Sequence, residues 1–223
     1  MMTSDWQDCR ACPRLADFLV TVREKYPDYH AAPVAAFGDE SPWLLVIGLA
    51  PGLHGANRTG RPFTGDYAGV LLYQTLYDFG LSSAPVSQDM ADDLQLRGCR
   101  ITNAVKCVPP ANKPERAEIR RCNTYLTQEL AVLAKHASLL ALGRVAHDAV
   151  LMALQLPLSA YSFAHGARHE LPGGQYLYDS YHCSRYNTQT GRLTPAMFAA
   201  VFARLTADRA AQVASIQTGS IHV

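Results

Sequence analysis

Trp43-Leu44-Leu45-Val46-Ile47-Gly48 is a continuous apolar run of strand length. It empties into Leu49-Ala50-Pro51-Gly52-Leu53-His54-Gly55-Ala56-Asn57-Arg58-Thr59-Gly60-Arg61-Pro62-Phe63-Thr64-Gly65-Asp66, a segment rich in glycine, proline, threonine and asparagine. A strand that is apolar at every position is buried on both faces, the condition of a parallel sheet covered by helices. The connection after it, residues 50–69, reads as a loop of about twenty residues. Loops that long are uncommon in compact domains unless they carry function.

Outward from this unit the pattern repeats. Residues 99–105 (Cys99-Arg100-Ile101-Thr102-Asn103-Ala104-Val105) and 138–142 read as two more buried strands, and 162–164 and 175–179 as further ones. Between them lie helical periodicities. Leu15, Phe18, Leu19 and Val22 share one face after Pro13, and Val70, Leu71, Tyr73, Leu76 and Phe79 precede Gly80. Ile119, Cys122, Leu126 and Leu130 form a stripe in a helix over about 115–136, and a turn at Gly143 leads to a helix ending near Leu154. A last helix begins with Pro195 in its first turn. The proline-rich stretch 27–42 reads as a loop or linker, and residues 210–223 as a frayed tail.

Strands alternating with helices predict an α/β fold in three layers, a central, mostly parallel sheet flanked by helices. The chain is read as a single domain over 1–223, with a cysteine-containing helical segment at about 4–26. In such a sheet the ligand site lies beyond the carboxyl ends of the strands. The glycine-rich stretch after the first strand, Asn103 ending the second, and His182 after the last all fall at that edge.

Composition narrows the function classes. With 48% apolar and 17% charged residues the chain can bury a sizeable core. Twenty Lys and Arg against nineteen Asp and Glu give a net charge of +1, which excludes a strongly basic coat protein and a charge-rich disordered chain. A local basic face is compatible with that total. Neither a signal peptide nor an apolar run of membrane-spanning length is expected, so the chain reads as cytoplasmic. Its six cysteines are then not expected to form a disulfide framework.

Cys9 and Cys12 have C-x-x-C spacing, and Cys107 and Cys122 bracket a loop and the start of a helix. Four thiolates suit zinc or an iron–sulfur cluster, while buried core thiols are the alternative for Cys107 and Cys122. Cys99, inside an apolar strand, reads as core. In the long loop, Arg58 and Arg61 are placed to face phosphates, and Phe63 either stacks on a planar ligand or fills the core. Asp66 is either a helix N-cap or a functional carboxylate. Neither G-x-x-x-x-G-K-[ST] nor G-x-G-x-x-G is present, which disfavours nucleotide hydrolysis and hydride transfer. Likewise H-E-x-x-H is missing, which disfavours a zinc-dependent hydrolase.

Taken together, Gly48-Leu49-Ala50-Pro51 with His54-Gly55-Ala56-Asn57-Arg58-Thr59-Gly60-Arg61-Pro62-Phe63-Thr64-Gly65-Asp66 resembles the first motif of family 5 (type B) uracil-DNA glycosylases. Asn103-Ala104-Val105-Lys106-Cys107 resembles the family's second region, and His182-Cys183-Ser184 with Asn187-Thr188-Gln189-Thr190-Gly191-Arg192-Leu193-Thr194 its last. The resemblance spans Cys9 to about Phe202 and implies a four-stranded central sheet. It implies a structural [4Fe–4S] cluster on Cys9, Cys12, Cys107 and Cys122. It also implies a monofunctional DNA glycosylase that hydrolyses the N-glycosidic bond of uracil and other deaminated bases such as hypoxanthine, initiating base excision repair.

The roles follow the matched positions. Asp66 would orient water and stabilise the sugar cation, and His182 would bond the base oxygen as charge develops. Ala50, Gly52, Phe63 and Asn103 would bind the base. Arg58, Arg61, Ser184, Arg185, Tyr186 and Asn187 would contact DNA, with Tyr186 inserted into the stack. Cys183 stands where the family's last motif has proline, which bears on that loop's rigidity. Lys106, Lys113, Arg116, Arg120 and Arg121 against Glu115 and Glu118 leave a local excess of +3 on the cluster segment. DNA containing damaged bases is the expected partner, the protein a monomer without membrane contact. The competing expectation is a non-catalytic iron–sulfur protein that binds DNA on the same fold.

Overall fold

In the computed structural model, residues 6–219 are described; side-chain surroundings are described up to residue 215. Six strands form one sheet: β1 (Phe37–Gly38), β2 (Leu44–Gly48), β3 (Cys99–Asn103), β4 (Ser138–Leu142), β5 (Arg168–Glu170) and β6 (Tyr176–Ser180). Their order is β1-β3-β2-β4-β6-β5. The four inner strands are parallel, with Gly48 opposite Asn103, Val46 opposite Leu140 and Leu142 opposite Ser180. The two outer strands are antiparallel. The helices are α1 (Pro13–Lys25), α2 (Ala56–Thr59), α3 (Tyr67–Asp78), α4 (Arg116–Ala131), α5 (Arg144–Ala153), α6 (Arg185–Gln189) and α7 (Pro195–Gly219).

The expected α/β architecture with a mostly parallel sheet is present, with six strands in place of four. β1 lies inside the proline-rich stretch and β5 is half-exposed. Such short edge strands carry no buried apolar run to mark them. Residues 162–164, expected as a strand, have no regular structure; the edge strand lies further on, at Arg168–Glu170.

β2 is buried at every position because it sends alternate side chains to opposite faces. Leu44 and Val46 join a core with Leu72, Leu76, Phe198 and Phe202 from α3 and α7. Leu45 and Ile47 join Leu126, Leu130 and Val150 from α4 and α5 on the other face. A third, smaller core packs Leu15 and Leu19 of α1 against Val105, Val108, Cys107 and Cys122. Burying a side chain of this size stabilises by about 1.5–3 kcal/mol, so the two layers on the sheet dominate the fold's stability.

Local signals set the helix ends. Pro13 opens α1, and Glu115 and Glu118 close a reciprocal capping box at the start of α4. α7 continues well past the expected start of the tail at 210 and reaches Gly219, because Ala210, Ala211, Gln212, Ala214 and Gln217 supply good helix formers there. Residues 220–223 and 1–5 lie outside the described residues. Among the described residues no helix is long and apolar enough to cross a membrane.

Candidate active site and cysteine cluster

The carboxyl ends of β2, β3 and β6 open into one cavity of about 410 Å³. From the connection after β2 it receives Ala50, Gly52, Phe63 and Asp66, from β3 and its following loop Asn103 and Asn112, and from the segment after β6 His182, Ser184 and Arg185. Eight residues singled out from sequence therefore meet in one place. The connection itself is not wholly irregular, since α2 folds within it.

Glycine makes the approach possible at two points. A Cβ on Gly48 would stand 2.4 Å from Asn103 Oδ1 and 2.7 Å from the Phe63 ring. One on Gly55 would stand 2.5 Å from Asp66 Cβ and 2.6 Å from its Oδ2. Both glycines are thus required by the side chains that crowd onto the cavity wall.

Asp66 fulfils its reading as a helix N-cap and also lines the cavity. It is the N-cap of α3, with Oδ1 accepting the Gly69 N–H at 2.9 Å. Its Oδ2 lies on the side of Gly52 and Gly55. Burial raises its pKa from 3.8, and the N–H groups of Gly69 and Ala68 oppose that shift. Phe63 likewise belongs to the core and to the cavity. It is left-handed at φ 56, and its ring stacks on His182 with centroids 5.9 Å apart and planes at 29°. A non-glycine residue held there is strain of the kind stored at functional sites.

Removal from water pushes the His182 pKa down to about 4, so the imidazole is neutral at pH 7. Asn103 is 3% exposed, and its amide makes no hydrogen bond within the protein among the described residues.

Other assignments are redistributed. Arg61 does not face phosphate. It is 3% exposed, lies over the Phe37 ring, and donates to Ser87 Oγ, Asp92 Oδ1 and the Met90 carbonyl. A buried guanidinium whose two terminal nitrogens are held by three partners is a loop clamp, so its assignment as a DNA contact is corrected. Arg58 is exposed on α2, its Nε bound to the His54 carbonyl. Ser184 caps α6, with Oγ accepting the Asn187 N–H, and Asn187 Nδ2 donates to the His182 carbonyl at 2.8 Å. Arg185 is exposed, and Tyr186 is 70% exposed at the first turn of α6. Cys183 is fully buried in the core, anchoring this loop by packing.

Asn112 is the polar cavity residue that the sequence reading missed, beside the apolar Leu49, Pro51, Ala56 and Ala68. It and Ala111 both have left-handed backbone, φ 55 and φ 53. Its signal was available: asparagine in a proline-bounded loop is the residue type that tolerates that conformation.

Cys9, Cys12, Cys107 and Cys122 are free thiols that line a second, small cavity with Leu15, Arg121 and Tyr125. Burial and the neighbouring sulfurs push Cys107 up to about 12, and burial pushes Cys122 up to about 11. The Lys106 N–H donates to Cys122 Sγ at 3.3 Å. Among the described residues no three of these sulfurs lie within 4.8 Å of one another. The surrounding basic patch is smaller than expected. Lys106 is buried against Glu129 and Thr102, while Lys113, Arg116, Arg120 and Arg121 remain exposed.

The family model for the uracil DNA glycosylase superfamily matches residues 35–206. A type-5 uracil-DNA glycosylase of Thermus thermophilus is 50% identical over 195 residues, covering 85% of this chain and 89% of the relative. A type-5 uracil-DNA glycosylase of Mycobacterium leprae is 44% identical over 205 residues, covering 87% and 88%. One from Pyrobaculum aerophilum is 40% identical over 205 residues, covering 90% and 89%.

Proposed function

The chain belongs to the uracil DNA glycosylase superfamily, among its type-5 members, and on that premise we propose how its cavity works and how wide its substrate range is. It is a uracil-DNA glycosylase. We extend this to hydrolysis of the N-glycosidic bond of other deaminated bases, hypoxanthine among them, without cleavage of the DNA strand. The observation that carries this is the convergence of Asp66, Asn103, Phe63 and His182 on one cavity large enough for an extruded base.

The unpartnered Asn103 amide offers a donor and an acceptor to the base edge, and the Phe63 ring flanks its face. As the glycosidic bond lengthens, negative charge gathers on the base and positive charge on the sugar. His182, being neutral, offers an N–H to the base oxygen, an interaction worth a few kcal/mol where donors are preorganised. The Asp66 carboxylate faces the sugar and orients the attacking water, whose oxygen bonds to the anomeric carbon as the base departs as an anion; the proton the water sheds passes to solvent, from which the free base is reprotonated. With Oδ1 committed to Gly69, Oδ2 is the oxygen left for that task. Only Ala50, Pro51 and Gly52 line the first turn after β2, so no polar side chain there rejects a purine. No lysine lines the cavity among the described residues, which supports hydrolysis over an imine mechanism.

Tyr186 is the side chain placed to fill the gap left by the extruded nucleotide. Arg58, Arg185 and the exposed basic residues of α4 are available to phosphates.

The four cysteines fit a [4Fe–4S] cluster. Their sulfurs are more widely spaced than one zinc permits, since two ligands at about 2.3 Å span at most about 4.6 Å. Buried thiols that disfavour one another's ionisation are stabilised as thiolates by bound iron. Such a cluster would supply cross-links between the start of α1 and the Cys107–Cys122 segment, with no electron transfer in the reaction.

The test is single-turnover release from duplexes carrying uracil, hypoxanthine or thymine. Release of the first two and not the third, with no borohydride-trapped adduct, is expected. Release of uracil alone would overturn the wider range, and a trapped adduct the hydrolytic mechanism.

A further inference from the structure

On the α4–α5 side of the sheet, away from the base cavity, three side chains from three elements meet. His147 on α5 and Asp179 on β6 are both 0% exposed, while His169 on β5 reaches the surface. His147 Nδ1 lies 2.8 Å from Asp179 Oδ1, and His169 Nε2 lies 3.1 Å from Asp179 Oδ2. One donor atom from each residue lies within 4.8 Å of the other two.

Hydrogen-bond bookkeeping makes this cluster unusual. His147 Nε2 lies 2.9 Å from the Tyr161 carbonyl, which can only accept, so that nitrogen carries the proton. Nδ1 then either donates a second proton to Asp179, whose carboxylate raises the pKa of this histidine, or faces it with a lone pair open to a cation. A histidine whose outer N–H is held by a backbone carbonyl while its other nitrogen faces a carboxylate is oriented as metal-binding histidines are. Two imidazoles and a carboxylate of two oxygens make a nitrogen–oxygen donor set suited to zinc. His169, at the sheet edge, provides the way in from solvent.

We infer that His147 Nδ1, His169 Nε2 and the Asp179 carboxylate form a binding site for a divalent transition metal, zinc by its donor set. Binding the ion would release to solvent any proton that His147 Nδ1 or His169 Nε2 shares with the carboxylate, and no oxidation state changes. It would join α5, the edge strand β5 and β6. Asp179 is three residues before His182 on the chain, so the site braces the strand end that delivers the base-binding imidazole. The site shares no residue with the four cysteines, three of which (Cys12, Cys107 and Cys122) pack with Leu15 and Leu19 of α1 in the third core.

The test is zinc titration of the full-length, tag-free protein, followed by metal analysis after dialysis and by thermal unfolding. One zinc per chain is expected to be retained, and zinc at about 100 times its Kd should raise Tm by roughly 5–10 °C. His169→Gln, at the partly exposed corner, should lose the retained zinc and the shift while still unfolding cooperatively. His147→Gln reports the same loss from the buried corner. No retained zinc in the wild type would overturn the inference. So would an equal shift in His169→Gln, which would place the ion at the cysteines or elsewhere and leave the histidines and Asp179 as a hydrogen-bonded ion pair.

Discussion

Asn187 Nδ2 donates to the His182 carbonyl at 2.8 Å, and the Asn187 N–H is held by Ser184 Oγ. The segment between His182 and Tyr186, the side chains proposed to bind the base and to wedge the stack, is therefore fastened by Asn187 across the first turn of α6. Asn187 positions His182; it need not touch the substrate to matter.

Asn187→Ala should slow single-turnover uracil release by about 10-fold, between the cost of one hydrogen bond and that of a misplaced catalytic group. Affinity for abasic DNA should change by less than about 3-fold. Loss of binding with an unchanged chemical step would instead make Asn187 a DNA contact.

The double role of Asp66 separates two substitutions usually treated alike. Asparagine is as good an N-cap as aspartate, whereas alanine removes the cap at a cost of about 1 kcal/mol. Asp66→Asn should therefore match or exceed the wild type in stability at pH 7, and Asp66→Ala should fall below it. Both should lose uracil release by about 100-fold or more, since neither restores a carboxylate facing the sugar. Thermal melts alongside single-turnover rates check this; an active Asp66→Asn would move the catalytic carboxylate elsewhere.

The two raised and lowered pKa values predict opposite responses to acid. Asp66 is raised above 3.8 by burial, so its carboxylate is lost at a higher pH than an exposed aspartate's. The rate should fall on the acid side with a midpoint above 3.8, and the limb should vanish from the residual rate of Asp66→Asn. For stability the sign is reversed. A raised folded-state value means that the stabilising contribution is full at low pH and fades as pH rises through it. His182, lowered to about 4, contributes above the ordinary histidine range, and that contribution is lost as pH falls through about 4. A rate that instead rose between pH 7 and 5 would require a protonated His182 and contradict the neutral donor.

How far the sequence reaches depends on where the partner of each residue lies. Strands β2 and β4 declare themselves because burial on both faces leaves a nearly continuous apolar run, while β3 shows itself by its β-branched Ile101 and Thr102 between helical segments. β1 and β5 do not, since an edge strand is held by backbone pairing, which has no side-chain signature. Asp66, Asn103 and His182 were legible from their motifs and from their place at strand ends. Arg61 was misread because its partner Asp92 stands 31 residues away in a segment without periodicity. Lys106 was misread in the same way, its charge being consumed by Glu129 on α4. Asn112 was overlooked because its entry into the cavity depends on two consecutive left-handed residues. Local pattern shows which side chains carry chemistry, while burial and long-range pairing decide which of them are free to use it.

Asn112 also ties the cysteines to the cavity, and this yields the last prediction. The segment from Cys107 to Cys122 leaves the cysteine site, passes through the 3-10 turn Pro110–Asn112 at the cavity wall, and returns along α4. Two anchors hold it apart from any cluster. Arg14 of α1 pairs with Glu115 and Glu118, and Leu15 and Leu19 pack on Val105 and Val108. If the four cysteines hold the proposed cluster, Cys122→Ser should lose the visible colour and bound iron of the wild type without unfolding. Opening a cross-link between segments about 95 residues apart should lower Tm by roughly 10 °C or more, by analogy with the loop entropy of a disulfide. Because the released segment carries Asn112, uracil release should also slow, by about 10-fold, and Asn112→Ala in the colour-bearing protein should reproduce that slowing without the loss of Tm. If Cys122→Ser loses iron and stability but excises uracil at the wild-type rate, the turn at Asn112 is held by Arg14 and the small core alone.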